Sequence, residues 1–323
     1  MENDQRSKRR RKKIKKKPLW KKILIGFLVF LGIFTAIGLF VGWQIYRDIQ
    51  ASTDDMYTPS DHDQKRETPV VVDDGTDAFS VLLMGIDTGD DGRVEQGRSD
   101  TMMVMTVNPE TEKTTLVSIP RDTYTEIVGR DTMDKINHAY AFGGTSMSVN
   151  TVQNLFDIPI DYYISVNMEG LQQIVDAVGG ISVTPHLTFD QSGYSFVNGQ
   201  QTNMDGKMAL EYSRMRKQDP NGDYGRQERQ REVVQATIRK MASVESVMNY
   251  KTVLNSLSAN MKTNLTFDDM VDAFTKYNSA INTIDQEQLS GTGRLQEGVY
   301  YEFIPDEEIQ RVSNLFKQEL ELN

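Results

Sequence analysis

Residues 79–86 read FSVLLMGI, and Asp87 stands directly behind them. A run this short and this apolar, closed by glycine and an acid, reads as a strand buried on both faces. Outward from it the chain keeps changing period. A polar, glycine-rich loop covers Thr88–Arg98. Thr101–Val107 and Lys113–Ile119 are two β-rich runs joined by the turn residues Asn108-Pro109-Glu110-Thr111, so they read as a hairpin, with Arg121 and Asp122 just beyond it. Gly144–Phe156 reads as a helix and Pro159–Val166 as a further strand. Asn167 then caps a helix whose apolar face is Leu171, Ile174, Val175 and Val178, stopped by Gly179-Gly180. Ile181–Thr184 returns as a strand, and helices follow near Arg226–Met241, Phe267–Tyr277 and Pro305–Leu320. Strands alternating with helices predict an α/β domain with helices on both faces of one sheet. About 245 residues follow the polar stretch 44–78, enough for one sizeable core.

The N-terminal end has a different composition. Of the 323 residues, the first 22 carry 12 Lys/Arg against 2 Asp/Glu, although the whole chain has a formal net charge of −10. Ile23–Trp43 holds no charge and, as a helix at 1.5 Å per residue, spans about 31 Å, the thickness of a bilayer core. Trp20 with Lys21-Lys22 flanks one end; Trp43 and Tyr46 flank the other. Basic residues stay on the cytoplasmic side and aromatics sit at the interfaces. The expected organisation is a basic cytoplasmic tail (1–22), an uncleaved single-pass signal-anchor helix (23–43), an extracellular linker rich in Asp, Thr, Ser and Pro (44–78), a catalytic core (79–241) and a C-terminal part of the same extracellular domain (242–323). Beside an uncharged apolar run, the basic tail reads as a topology signal rather than a nucleic-acid patch.

Cysteine is absent, which excludes disulfides, thiolate catalysis and Cys-ligated zinc. The three histidines, His62, His138 and His186, form no local metal motif, and no G-x-S-x-G elbow is present. Asp219-x-Asn221-x-Asp223 begins like a calcium loop but has Tyr224 at the sixth position and Gln230 at the twelfth, so it fails. His138 reads as a hydrogen-bonded structural histidine or a general base.

Three polar clusters stand at the ends of apolar elements: Asp87 with Arg98 and Asp100; Arg121-Asp122; and EYSRMRKQDPNGDYGRQERQR, residues 211–231. In the helix at 226–241, Arg226 and Gln230 share a stripe with Val234, while Arg231, Gln235 and Arg239 form the opposite, solvated stripe. Arg214 and Arg216, if extended, face the same way. Guanidinium forks bind phosphate bidentately and stay charged at every relevant pH. Carboxylates beside them repel phosphate but suit an oxygen-preferring cation, Mg²⁺, for which Asp87 and Asp100 are the pair. Internal Arg–Asp pairing is the competing reading for each residue alone.

These stretches carry a resemblance. Gly85-Ile86-Asp87, GRSDTMMVMTVNP (97–109), SIPRDTY (118–124), MDKINHAYAFGG (133–144) and YSRMRKQDPNGDYGRQERQ (212–230) together resemble the LytR–CpsA–Psr family of Gram-positive bacteria. The resemblance implies a three-layer α/β/α domain with a mixed central sheet. It implies a phosphotransferase that moves an anionic glycopolymer, typically wall teichoic acid, from undecaprenyl pyrophosphate to the 6-hydroxyl of N-acetylmuramic acid in peptidoglycan. By motif, Asp87 and Asp100 match the Mg²⁺-binding aspartates. Arg98, Arg121, Arg214, Arg216, Arg226 and Gln230 match the pyrophosphate-binding set, and Asp223 a further acidic position. The lipid tail is expected in an apolar channel. Catalytic roles fall to Arg121, Arg226 and a carboxylate base, for which Asp223 and Asp87 are both candidates. The rival readings are a polyprenyl-pyrophosphate hydrolase and a non-enzymatic membrane-bound regulator. Membrane lipid is an expected partner; nucleic acid is not.

Overall fold

The computed structural model describes residues 56–87, 97–242 and 260–322, with Phe40, Trp43 and Arg47. The chain divides into Met1–Asp48 and Ile49–Asn323. The expected span 23–43 lies outside the described residues apart from Phe40 and Trp43. Among the described residues no helix is long and apolar enough to cross a membrane.

The second unit is built on a mixed six-stranded sheet. Its strands are β1 (Phe79–Ile86), β2 (Ser99–Asn108), β3 (Lys113–Ser118), β6 (Tyr162–Asn167), β11 (Met261–Thr263) and β12 (Thr283–Gln288), in the order β11-β6-β1-β2-β3-β12. β1–β2 and β2–β3 are antiparallel, whereas β6 joins β1 and β12 joins β3 in parallel. The Asn108 side chain closes the β2–β3 turn, its Oδ1 accepting from the Thr111 amide at 2.9 Å.

Alternation along β1 explains the core. Leu82, Met84 and Ile86 face one side, where they meet Met102, Val104 and Val117. Val149, Val152 and Phe156 of α1 (His138–Phe156) and Val312 and Phe316 of α6 (Asp306–Glu319) cover that side. Phe79 and Val81 face the other, against Val107, Tyr277 and Ala280. Helices therefore cover both faces. Each fully buried Leu, Val or Phe contributes roughly 1.5–3 kcal/mol. The helix forecast from Gly144 begins earlier, at His138, and is broken by non-helical backbone at Gly143 and Gly144.

A second core lies beside the sheet. It gathers α2 (Met168–Ala177), β7 (Ile181–Val183), α3 (Gly206–Arg214), α4 (Asp223–Met241) and the stacked Phe189 and Phe196 of the hairpin β8 (Phe189–Gln191) and β9 (Tyr194–Phe196). Asn167 Oδ1 caps α2 at 2.7 Å from the Gly170 amide. Gly179 and Gly180, at φ +81° and +85°, end it in the left-handed region. β7 is a strand as expected, but it pairs with β10 (Thr202–Met204) rather than with the central sheet.

The stretch 56–78 corrects the linker reading. Met56 and Val72 are fully buried, Arg66 Nε lies 2.7 Å from Asp161 Oδ1, and the Tyr163 hydroxyl donates to the Thr58 carbonyl at 2.7 Å. Although most of its residues remain exposed, the stretch is tied to the domain by these buried anchors and hydrogen bonds. A hairpin of β4 (Tyr124–Ile127) and β5 (Thr132–Lys135), a second of β13 (Thr292–Gln296) and β14 (Val299–Phe303), and α5 (Phe267–Lys276) complete the unit. The C-terminal part supplies β12 and α6 to the main sheet and core.

Candidate active site

Polar side chains gather where β1 and β3 end and β2 and α4 begin. β3 stops at Ile119-Pro120. The Thr123 amide and hydroxyl both bond the Pro120 carbonyl, at 3.0 and 2.7 Å, closing a tight turn that puts Arg121 and Asp122 beyond the sheet. Asp100 sits at a bulge: Gly85 pairs with Thr101 and Ile86 with Ser99, so Asp100 is the unpaired residue between them. Asp87 follows β1 directly, and its amide donates to the Arg98 carbonyl at 3.0 Å. Two carboxylates thus occupy adjacent ends of neighbouring strands.

Arg121 Nη1 lies 3.0 Å from Asp100 Oδ2, and its Nε 3.8 Å from Asp122 Oδ2. Lys135 Nζ is 2.7 Å from Asp122 Oδ1. From the other side, Arg226 Nη2 lies 2.8 Å from Asp223 Oδ1, with Arg216 Nε at 3.7 Å from the same oxygen. Gln227 donates to Asp223 Oδ2 at 3.1 Å. Asp223 is the first residue of α4, where the helix dipole favours negative charge. Arg226 follows one turn later and its side chain is only 11% exposed.

The electrostatics tie these pieces into one site. Burial works against the charge of Arg121, but Asp100, Asp223 and Asp122 outweigh it and hold the guanidinium above its ordinary value. Arg226 goes the other way: burial lowers it, the attraction of Asp223 does not compensate, and Arg121 and Arg216 add repulsion. Its Nε and Nη2 are buried without a hydrogen bond, because the short approach to Asp223 is badly aligned. Each unmet buried donor costs about 1–3 kcal/mol. A guanidinium held among like charges with idle donors is prepared for an anion.

The structure therefore brings together Arg121, Asp100, Asp122, Asp223, Arg226 and Arg216. Gln230, one turn beyond Arg226, has a buried Oε1 without a partner. Arg98 is exposed, and among the described residues its side chain makes no ion pair. Arg214 is exposed at the last position of α3, while Arg216 lies past the helix end. The helix stop separates the pair, so the extended reading of a shared face is corrected. Arg231 is also corrected. It is 7% exposed rather than solvated, and donates to Ser118 Oγ at 2.8 Å and Gln288 Oε1 at 2.6 Å.

Sequence reasoning missed three supports. Arg229 donates to Asp219 and to the carbonyls of Tyr212 and Met215, pinning the 215–222 loop to α4. Gly225 makes that possible, since a Cβ there would collide with the Asp219 carboxylate. Glu302, 5% exposed, accepts from the Tyr224 and Tyr300 hydroxyls at 2.8 Å each. Burial, with the nearby carboxylates, pushes the Tyr300 phenol up to about 12. Lys135 lies inside the 133–144 motif and so was within reach of sequence reading; Glu302 is too distant in the chain to signal itself. His138 Nδ1 lies 2.7 Å from Asp134 Oδ2, a contact that orients the ring.

The model of the LytR_cpsA_psr family matches residues 44–318. The polyisoprenyl-teichoic acid–peptidoglycan teichoic acid transferase TagU of Enterococcus faecalis is 50% identical over 297 residues, covering 91% of this chain and 97% of its own. The crystal structure of Bacillus subtilis TagU is 44% identical with a TM-score of 0.62, covering 77% of this chain and 99% of that one. A structure of TagT bound to LIIa-WTA is 30% identical with a TM-score of 0.70, covering 82% and 99%.

Proposed function

The chain belongs to the LytR_cpsA_psr family, and on that premise we propose that it transfers teichoic acid from a polyisoprenyl carrier to peptidoglycan. In this reading the donor is a glycopolymer on undecaprenyl pyrophosphate and the acceptor is the C6 hydroxyl of N-acetylmuramic acid. The hydroxyl oxygen bonds to the phosphorus that carries the polymer. The bond from that phosphorus to the bridging oxygen breaks, polyprenyl phosphate leaves, and a phosphodiester remains. The proton passes to a carboxylate, Asp223 or Asp87. Such chemistry needs positioning and charge stabilisation more than covalent participation.

The observation that carries this reading is Arg226, a nearly buried guanidinium beside Asp223, with Nε lacking any hydrogen bond and Nη2 held only by its ion pair. Arg121, Arg216 and Arg226 would grip the pyrophosphate oxygens, with Arg98, Arg214 and Gln230 completing the set. Asp87 and Asp100 offer only oxygen donors, and Asp100, half-buried at a bulge, is already paired with Arg121 through one oxygen; this all-oxygen donor set suits Mg²⁺. When bound, Mg²⁺ would offset the charge of the departing phosphate. Localisation follows from the sequence: a single-pass membrane protein with residues 23–43 as anchor, its basic tail inside and this domain outside.

The test uses a lipid-linked teichoic acid donor with peptidoglycan acceptor. Polymer joined to glycan, lost on EDTA treatment and restored by Mg²⁺, is the expected product. Free phosphorylated polymer alone would make the protein a hydrolase, and transfer undiminished after EDTA would remove the metal from the reading.

A further inference from the structure

A second polar region lies on the side of α4 away from Asp223. There an open cavity of about 1120 Å³ runs between β7, β10 and α4. Its wall holds His186, just past β7, and Glu228 and Glu232 of α4. The two glutamates are four residues apart, on one helix face, where like charges repel. Nothing in the linear sequence pairs them with His186; the packing of β7 on α4 does.

The three residues offer one ligand atom each, all within 4.8 Å of one another. His186 Nε2 lies 2.7 Å from Glu232 Oε1, yet that oxygen is buried and makes no hydrogen bond. The imidazole thus approaches the carboxylate without a hydrogen bond joining them. Two ligands of one cation stand this way, since bonds of about 2.0–2.2 Å put neighbouring donors roughly 3 Å apart. The Glu232 side chain is only 9% exposed, while that of His186 is 69% exposed and free to adjust. The other carboxylate oxygen is already fixed, accepting from the Tyr212 hydroxyl at 2.5 Å, the kind of outer hydrogen bond that orients a ligating carboxylate.

We infer that His186, Glu228 and Glu232 form a zinc site separate from the arginine cluster. One imidazole nitrogen with two carboxylate oxygens suits Zn²⁺, in contrast to the all-oxygen pair Asp87 and Asp100. Three protein ligands leave a fourth position open towards the cavity for water or an anionic group. The site also ties β7 to α4 across the second core.

The full-length chain, in detergent, free of any affinity tag and stripped of metal by EDTA, is titrated with Co²⁺ while its visible absorption is followed, then with Zn²⁺ as competitor. With Mg²⁺ in excess, which occupies the all-oxygen pair Asp87 and Asp100, one equivalent of Co²⁺ is expected, and it is displaced by Zn²⁺. Zn²⁺ is also expected to raise the unfolding temperature of the wild type. His186→Ala and Glu228→Gln, both at accessible positions, are expected to weaken binding by at least about tenfold and abolish the rise, while Asp87→Asn leaves both unchanged. Absence of stoichiometric binding, or equal affinity in folded His186→Ala, would overturn the site. Glu232→Gln is the less clean variant, because it also disturbs Tyr212.

Discussion

Arg226 and Arg229 sit one turn apart on the same helix, and both are nearly buried. Every nitrogen of Arg229 has a protein acceptor: the Tyr212 carbonyl, Asp219 and the Met215 carbonyl. Arg226 has one misaligned carboxylate, two idle nitrogens and two arginine neighbours. Arg229 is saturated and holds the chain together. Arg226 is left unsaturated, so its binding capacity is available to a ligand. Burial alone does not separate a structural arginine from a binding one; the acceptor count does.

Removing each side chain should split these roles. The largest effect is expected for Arg229→Ala, which strands the Asp219 carboxylate and frees the 215–222 loop. Thermal or denaturant unfolding should show a loss of about 3–5 kcal/mol. A loss below about 1 kcal/mol would erase the distinction. For Arg226→Ala, transfer should fall by about 10²–10³-fold, with stability unchanged or slightly raised; Arg121→Ala should lose transfer to a similar extent and some stability as well, because Asp100 loses its partner. Arg226→Lys should restore little, because a point charge cannot replace the fork.

Tyr224→Phe leaves one oxygen of buried Glu302 without its phenol donor and the Gly291 amide without an acceptor. About 1–3 kcal/mol should be lost, with a modest fall in transfer as the β13–β14 hairpin loosens. The smallest effect concerns acid. The hydrogen bond from Arg311, stronger than the opposing burial, holds the Glu308 carboxyl below its ordinary value. A depressed carboxylate stabilises the fold above its unfolded value, about 4.3, and that contribution disappears as pH falls through the lower folded value. Glu308→Gln should therefore cost less than about 1 kcal/mol at neutral pH and nothing in strong acid. An unfolding series across pH 2–7 would read the difference.

What the sequence made legible was local. Phe79–Ile86 is a strand with the bounds expected, the 101–119 hairpin is present, and Asn167 caps its helix, because each depends on residues close in the chain. Arg231 was misplaced for a physical reason. The stripe argument assumes one solvated face, and α4 lies between the central sheet and the second core, so Ser118 and Gln288 occupy the side expected to meet water. The stretch 56–78 looked like a linker because it is polar, and polarity does not distinguish bonding to solvent from bonding to the domain. Within the site, Arg121 with Asp100 and Arg226 with Asp223 were nameable from motifs. The Glu302 clasp was not, since Tyr224 and Glu302 meet only through the hairpin that follows the last strand of the sheet.

The most direct test is calorimetric titration of geranyl pyrophosphate into the wild type and Arg226→Ala, each with its own unfolding curve. The account predicts that Arg226→Ala unfolds at the wild-type temperature but binds at least about tenfold more weakly, the loss of one charge-assisted hydrogen bond or more. Wild-type affinity in a folded Arg226→Ala would contradict it.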